Sequence, residues 1–195
     1  YGKYATTQNQ AERQNYYDSA YYLISRAISL KPNYVNPYIA LGDLLRSAGK
    51  YADAKKNYLE GLKMLPNESD LYIGLAVLYV VAKNMDSAGI YFRKVLELKP
   101  TAEAHGNYAN YLSMTGKDDS AIIEYGKAIS LTKENYVPYM NRGILLKKHE
   151  QWDAASHDLE SALKINPEAG QVYYQRSFCD TQKKNVPLAL QDIHK

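Results

Sequence analysis

Four histidines and one cysteine are the side chains with most to offer catalysis or metal binding, and their spacing offers little. A zinc site needs three or four convergent His, Cys or carboxylate ligands. His105, His149, His157 and His194 show no ligand spacing with Cys179 or with carboxylates. His157 lies near Trp152, which adds no chemistry. No glycine-rich phosphate loop and no nucleophile motif appears. A single cysteine excludes an internal disulfide, and Cys179 reads as a small buried residue. No metal, cofactor or catalytic residue is expected. What recurs is hydrogen-bonding chemistry: Asn107, Asn141 and Gln175 stand at intervals of 34 residues. A side-chain amide both donates and accepts, so it can pair with both polar groups of a peptide unit without reading sequence.

The elements that must position those amides repeat with the same period. Ala20, Ala54, Ala88, Ala121, Ala155 and Ala189 follow one another at 34, 34, 33, 34 and 34 residues. With each alanine at position 20, units span 1–34, 35–68, 69–101, 102–135, 136–169 and 170–195. Within a unit, apolar residues three and four apart mark amphipathic helices, and no stretch alternates as a strand would. Small residues at positions 8, 20 and 27 let two antiparallel helices approach. Large residues at 4, 7, 11, 17 and 24 fill the seams. Asn36-Pro37 reads as the start of a helix, Gly49 as its end, and the prolines near position 32 as stops. An acid opens each second helix (Asp18, Asp53, Asp86, Asp119 and Asp153), where the helix dipole favours negative charge.

In the second unit Tyr38, Leu41, Gly42, Leu45, Tyr51, Ala54, Tyr58, Gly61 and Pro66 resemble the tetratricopeptide repeat signature. Tyr72, Leu75, Ala76, Tyr79, Ala88, Phe92 and Pro100 in the third unit resemble it too, as do Tyr139, Gly143, Leu146, Trp152, Ala155, Leu159, Ala162 and Pro167 in the fifth. The resemblance implies an all-α fold, a right-handed superhelix of about six helix-turn-helix repeats, the last incomplete. Departures carry information. The third unit is one residue short, which predicts a tighter turn at Thr101. Lys133 replaces the proline and His105 replaces the aromatic in unit four, where His105 reads as a structural core histidine. The first helix of unit one, with Thr7, Gln8 and Ala11, is polar and suits an end cap.

At 46% hydrophobic and 23% charged, with net charge +3, the chain has an ordinary soluble composition. No run approaches the roughly 18 apolar residues of a membrane helix, so this segment is expected to make no membrane contact. The 20 tyrosines fall largely on seam positions, and no basic groove accompanies them, which argues against nucleic acid. The chain begins without Met and stops inside the second helix of unit six, reading as a piece of a longer protein. Leu188, Leu190 and Ile193 would then leave an apolar stripe at that end, predicting a homodimer through it. The compartment stays open, cytoplasmic or, if a missing domain tethers the chain to a membrane, periplasmic.

In this family the groove is lined mainly by first helices. A chaperone-type carboxylate clamp needs Lys and Asn at positions 5 and 9 of one repeat, Asn at 6 of the next, and Lys and Arg at 2 and 6 of the third. No three consecutive units here supply those cations. The row Asn107, Asn141 and Gln175 is instead similar to the asparagine ladder of O-linked N-acetylglucosamine transferase. Asn110 lies beside that row, and Val77, Met140, Ile144, Tyr174 and Phe178 offer apolar pockets. The expected function is a scaffold that holds a protein or peptide partner in this groove. An alternative explanation of the asparagines is helix packing, common in bacterial repeats of this type. A second functional reading is a repeat tail of a larger enzyme, since the composition and polar lead-in look similar to bacterial membrane glycosyltransferases of the O-mannosyltransferase type. A third is self-assembly.

Overall fold

The computed structural model describes residues 2–183 and residue 192, with side chains from residue 10 onward. Ten α-helices and no strand occur among the described residues. They are α1 (Gly2–Leu30), α2 (Val35–Ser47), α3 (Tyr51–Met64), α4 (Ser69–Val81), α5 (Met85–Leu98), α6 (Ala102–Met114), α7 (Asp118–Leu131), α8 (Tyr136–Lys148), α9 (Trp152–Ile165) and α10 (Gly170–Gln182). From the second unit on, the first helix of each unit starts at the residue the alanine register marks. Ala189, Leu188, Leu190, Ile193 and His194 lie outside the described residues.

One turn geometry joins α2 to α3, α4 to α5, α6 to α7 and α8 to α9. Position 15 takes a left-handed conformation in all four, with φ of 73° at Gly49, 58° at Lys83, 74° at Gly116 and 57° at Glu150. The next amide then reaches back to the carbonyl at position 11: Lys50 to Leu45, Asn84 to Tyr79, Lys117 to Leu112 and Gln151 to Leu146, each at 2.9 Å. This closes orphan carbonyls at the end of the first helix.

Unit one departs from the expected helix pair. α1 runs unbroken through Asn15, so no turn separates a first from a second helix there. Asp18 consequently sits in mid-helix and opens none. The start of α2 also differs from the expectation. Its N-cap is Tyr34, which makes no side-chain cap bond, and Asn36 donates to the Tyr34 hydroxyl instead. Side-chain caps do occur at α6, where Thr101 accepts from the Ala104 amide, and at α8, where Asn135 accepts from Val137. Three residues join α5 to α6 while four join α3 to α4, which is the tighter turn at Thr101.

The chain divides into two compact units, Tyr1–Leu98 and Lys99–Lys195. In the first, Tyr58 is fully buried among Tyr38, Leu41, Leu45, Leu71 and Leu75. Gly42 and Gly74 make room for its ring: a Cβ on Gly74 would stand 2.5 Å from Tyr58 Cε1, and one on Gly42 would also collide with the ring. In the second, Leu146, Ala155, Leu159, Ala162, Val172 and Cys179 form the core between α8, α9 and α10. Ala54, Ala88, Ala121 and Ala155, the anchor alanines of four units, are completely buried, as close helix crossing demands.

Candidate functional site

Tyrosine at position 24 of the second helix reaches through the helix pair to position 9 of the first. The Tyr58 hydroxyl donates to Asp43 Oδ1 at 2.9 Å, and Arg46 donates to the same oxygen at 3.1 Å. In the second compact unit the Tyr125 hydroxyl donates to Asn110 Oδ1 at 2.5 Å, and Asn141 Nδ2 donates to that oxygen at 3.1 Å. Burial holds both phenols protonated. It pushes Tyr58 up, with Asp43 adding to the rise, and pushes Tyr125 up to about 12 against a smaller opposing effect of the Asn141 amide. Where position 24 is Phe92 or Leu159, no hydroxyl arrives and position 9 is the apolar Val77 or Ile144.

The Tyr125 bond fixes how Asn110 presents itself. Its oxygen accepts from two donors, which makes the Asn110 NH2 group, together with the Asn141 oxygen and second amide hydrogen, the polar groups this node has to offer a ligand. A cleft of ≈ 280 Å³ opens on one side of this node, lined by Gly106, Asn107, Asn110, Val137, Pro138 and Asn141 among others. A second, of ≈ 450 Å³, opens on the other side and is lined by Ser113, Met114, Ile144 and Leu145 with the same Asn110, Tyr125 and Asn141. Gly106 leaves the first cleft open, since a Cβ there would have nothing within 4 Å.

The expected site residues separate into groups. Asn107, Asn110 and Asn141 come together around these two clefts, with Ile144 beside them. Gln175 does not extend their row: it accepts from Lys147 Nζ at 2.5 Å. The same Lys147 ammonium lies 4.9 Å from the centre of the Phe178 ring, which packs at 6.0 Å against Trp152. Tyr174 and Phe178 are exposed on α10, and Met140 packs against the core. Val77 belongs to the other compact unit, half-buried on α4.

His105 and His149 have structural partners. His105 Nδ1 lies 2.6 Å from Glu124 Oε2, and Lys127 donates to the other oxygen at 2.8 Å. Burial opposes ionisation of Glu124, but the bonds from Lys127 and His105 outweigh it and hold the carboxyl below its usual range. His149 Nε2 and Lys148 Nζ converge on Asp118 Oδ2 at 3.0 and 2.5 Å. Among the described residues, no group of three His, Cys, Asp or Glu side chains is placed to hold a metal, and no helix is long and apolar enough to cross a membrane.

Sequence reasoning missed a recurring ion pair. Arg142 grips Asp158 through Nε and Nη2 at 2.7 and 2.8 Å, and Arg176 grips Asp192 in the same two-pronged way. Both arginines stand at position 7, where units two and three have Leu41 and Leu75, and both aspartates stand at position 23. A charge at a seam position, repeated one unit later together with its partner, was a legible signal.

The family model for the tetratricopeptide repeat matches residues 39–103, across α2 to α5 and into α6. Over those residues the helix pairs are tetratricopeptide repeats. Human Tetratricopeptide repeat protein 6 is 26% identical over 156 residues, 80% of this chain and 30% of its own length. Human Protein O-mannosyl-transferase TMTC3 is 27% identical over 173 residues, 86% of this chain and 19% of its own. The chain thus spans less than a third of the length of these curated relatives. The crystal structure of YrrB superposes with a TM-score of 0.67 at 20% identity, covering 88% of this chain and 89% of that one. Repeats of this kind are generally non-catalytic scaffolds suited to protein–protein interaction.

Proposed function

We propose that the second compact unit is a peptide-binding module, and that Asn107, Asn110 and Asn141 hold the backbone of an extended partner segment. The observation that carries this reading is the Tyr125–Asn110–Asn141 node. A buried hydroxyl orients one amide, that amide orients the next, and both keep polar groups facing open clefts. Preset donors and acceptors lose little freedom when a ligand binds. The pairing serves N–H and C=O groups of any peptide, so side-chain selection falls to the apolar lining, Ile144 and Met114 on one side and Val137 on the other. YrrB, the similar fold, is described as a TPR protein with an unusual peptide-binding site.

The reading is tested with peptides selected from a random-sequence display library on the intact chain. Asn107→Ala with Asn141→Ala should abolish binding of the selected peptide while helical content and melting temperature stay nearly unchanged. Unchanged affinity removes the amides as a site. A large drop in melting temperature assigns them to packing.

A second reading is favoured by the match to TMTC3 over 86% of this chain: the repeats are the non-catalytic part of a larger glycosyltransferase. An apolar span of about 20 residues or a glycosyltransferase motif in the full-length gene would select it.

A further inference from the structure

The C-terminal half of α1 carries a slot built for a helix, and no helix among the described residues lies on it. In the later repeats, position 23 of the second helix bonds to the first helix of its own repeat. Asn57 donates to the Tyr38 carbonyl at 2.6 Å, Glu124 meets His105 and Asp158 meets Arg142. The same position in unit one is Leu23, and it is 63% exposed. Beside it Tyr16 and Leu30 are 76% and 72% exposed, one helical heptad away on either side. Ala20, the equivalent of four fully buried anchor alanines, is partly open to solvent.

The segment that would fill this slot by register is residues 2–14, and it cannot reach it. In units two to five the chain reverses through a left-handed residue at position 15. Here Asn15 is helical, and residues 2–14 continue straight on as the first half of α1. We infer that a second copy of the chain fills the slot: two α1 helices pair antiparallel, each supplying the first helix of the other's opened repeat. The geometry of the closed repeats supports this occupant. Their bonded pairs join position 4 or 7 with 23, and 9 with 24, which are disposed about position 15. A two-fold axis through Asn15 therefore reproduces between copies the register that the turn produces within one. Exchange of an identical element is a low-cost route to a dimer because the interface already exists in the closed form. It also covers Tyr16, Leu23 and Leu30 in both copies at once.

Sedimentation velocity of the 195-residue chain over a hundredfold concentration range should show a species of twice the monomer mass. Leu23→Glu, a substitution at an exposed site, should return it to monomer with helical content unchanged. Asn15→Gly, which favours chain reversal, should shift the balance toward monomer. In a Gln8→Cys/Ala20→Cys variant, oxidation should produce a cross-link between two chains, read as a dimer band on a non-reducing gel. A monomer at every concentration, a dimer indifferent to Leu23→Glu, a cross-link confined to one chain or no cross-link would each overturn the proposal.

Discussion

The Tyr125 hydroxyl donates to Asn110 Oδ1 from the far side of a helix pair, so the aromatic that fills the seam also orients the amide that faces the cleft. Packing and the orientation of a surface amide share one side chain here. Removing the hydroxyl with Tyr125→Phe should cost about 1 kcal/mol of stability and weaken peptide binding by freeing Asn110 to rotate. Combined with Asn110→Ala in a double-mutant cycle, the two losses should be less than additive, because they remove the same bond. Additive losses, measured by urea unfolding and by titration of the selected peptide, would mean that the bond does not set the orientation of Asn110.

Two glycines on first helices should behave oppositely. A methyl group on Gly74 would meet the Tyr58 ring at 2.5 Å, so Gly74→Ala should destabilise the protein by about 1–3 kcal/mol through overpacking. Gly106 has free space around its Cβ position, so Gly106→Ala should stabilise by up to about 1 kcal/mol through helix propensity. Because Gly106 lines the smaller cleft, the same change should weaken peptide binding. Thermal melts and one titration distinguish all three effects.

The Arg142–Asp158 pair should be costly to break and inexpensive to replace. Asp158→Ala leaves a guanidinium without its carboxylate and should destabilise by about 3–5 kcal/mol. Arg142→Leu with Asp158→Leu restores the leucine found at position 7 in earlier units and should lie near the parent. Denaturant midpoints of the single and double variants give the comparison.

Much of this architecture was legible because it is local and periodic. The alanine register located the starts of α2, α4, α6, α8 and α10, since units two to five bury the same small residue at the same crossing. The tighter turn at Thr101 followed from a missing residue. The continuous α1 was less visible: its signal is one residue, Asn15 in place of a reversal, and nonglycine residues such as Lys83 and Glu150 manage that turn elsewhere. Asn36 looked like a cap because Pro follows it, yet the tertiary packing of α2 draws Val35 into the helix. The candidate site was half legible. Asn107, Asn110 and Asn141 share a face by spacing, but capture of Gln175 by Lys147 depends on side-chain reach, which register alone does not supply.

Asp180 should make the protein respond to pH. It is buried at position 11, a seam position, with Ser156 on one oxygen at 3.4 Å and no partner for Oδ2. Burial raises its carboxyl above the usual range, against the opposing charges of Arg176 and Lys183, while Asp192 adds to the rise. A carboxyl raised on folding favours the folded state only while it stays protonated, and that contribution is lost as pH rises through the folded value. Asp180→Asn should therefore raise the melting temperature at pH 7, with the gain shrinking as the pH falls through the raised folded value and gone once it is below the ordinary aspartate range. A gain independent of pH would show that ionisation of Asp180 is not its source.

The central claim, that the oriented amides hold a peptide backbone, is tested most directly by the side-chain NH2 resonances of the asparagines in a nitrogen-15 correlation spectrum during titration with the library-selected peptide. The Asn107, Asn110 and Asn141 amides should shift together with one saturation curve. The Asn57 amide, buried and bonded to the Tyr38 carbonyl, should stay in place. Saturable binding that moves resonances around Tyr174 and Phe178 and leaves these three amides unmoved would contradict the account.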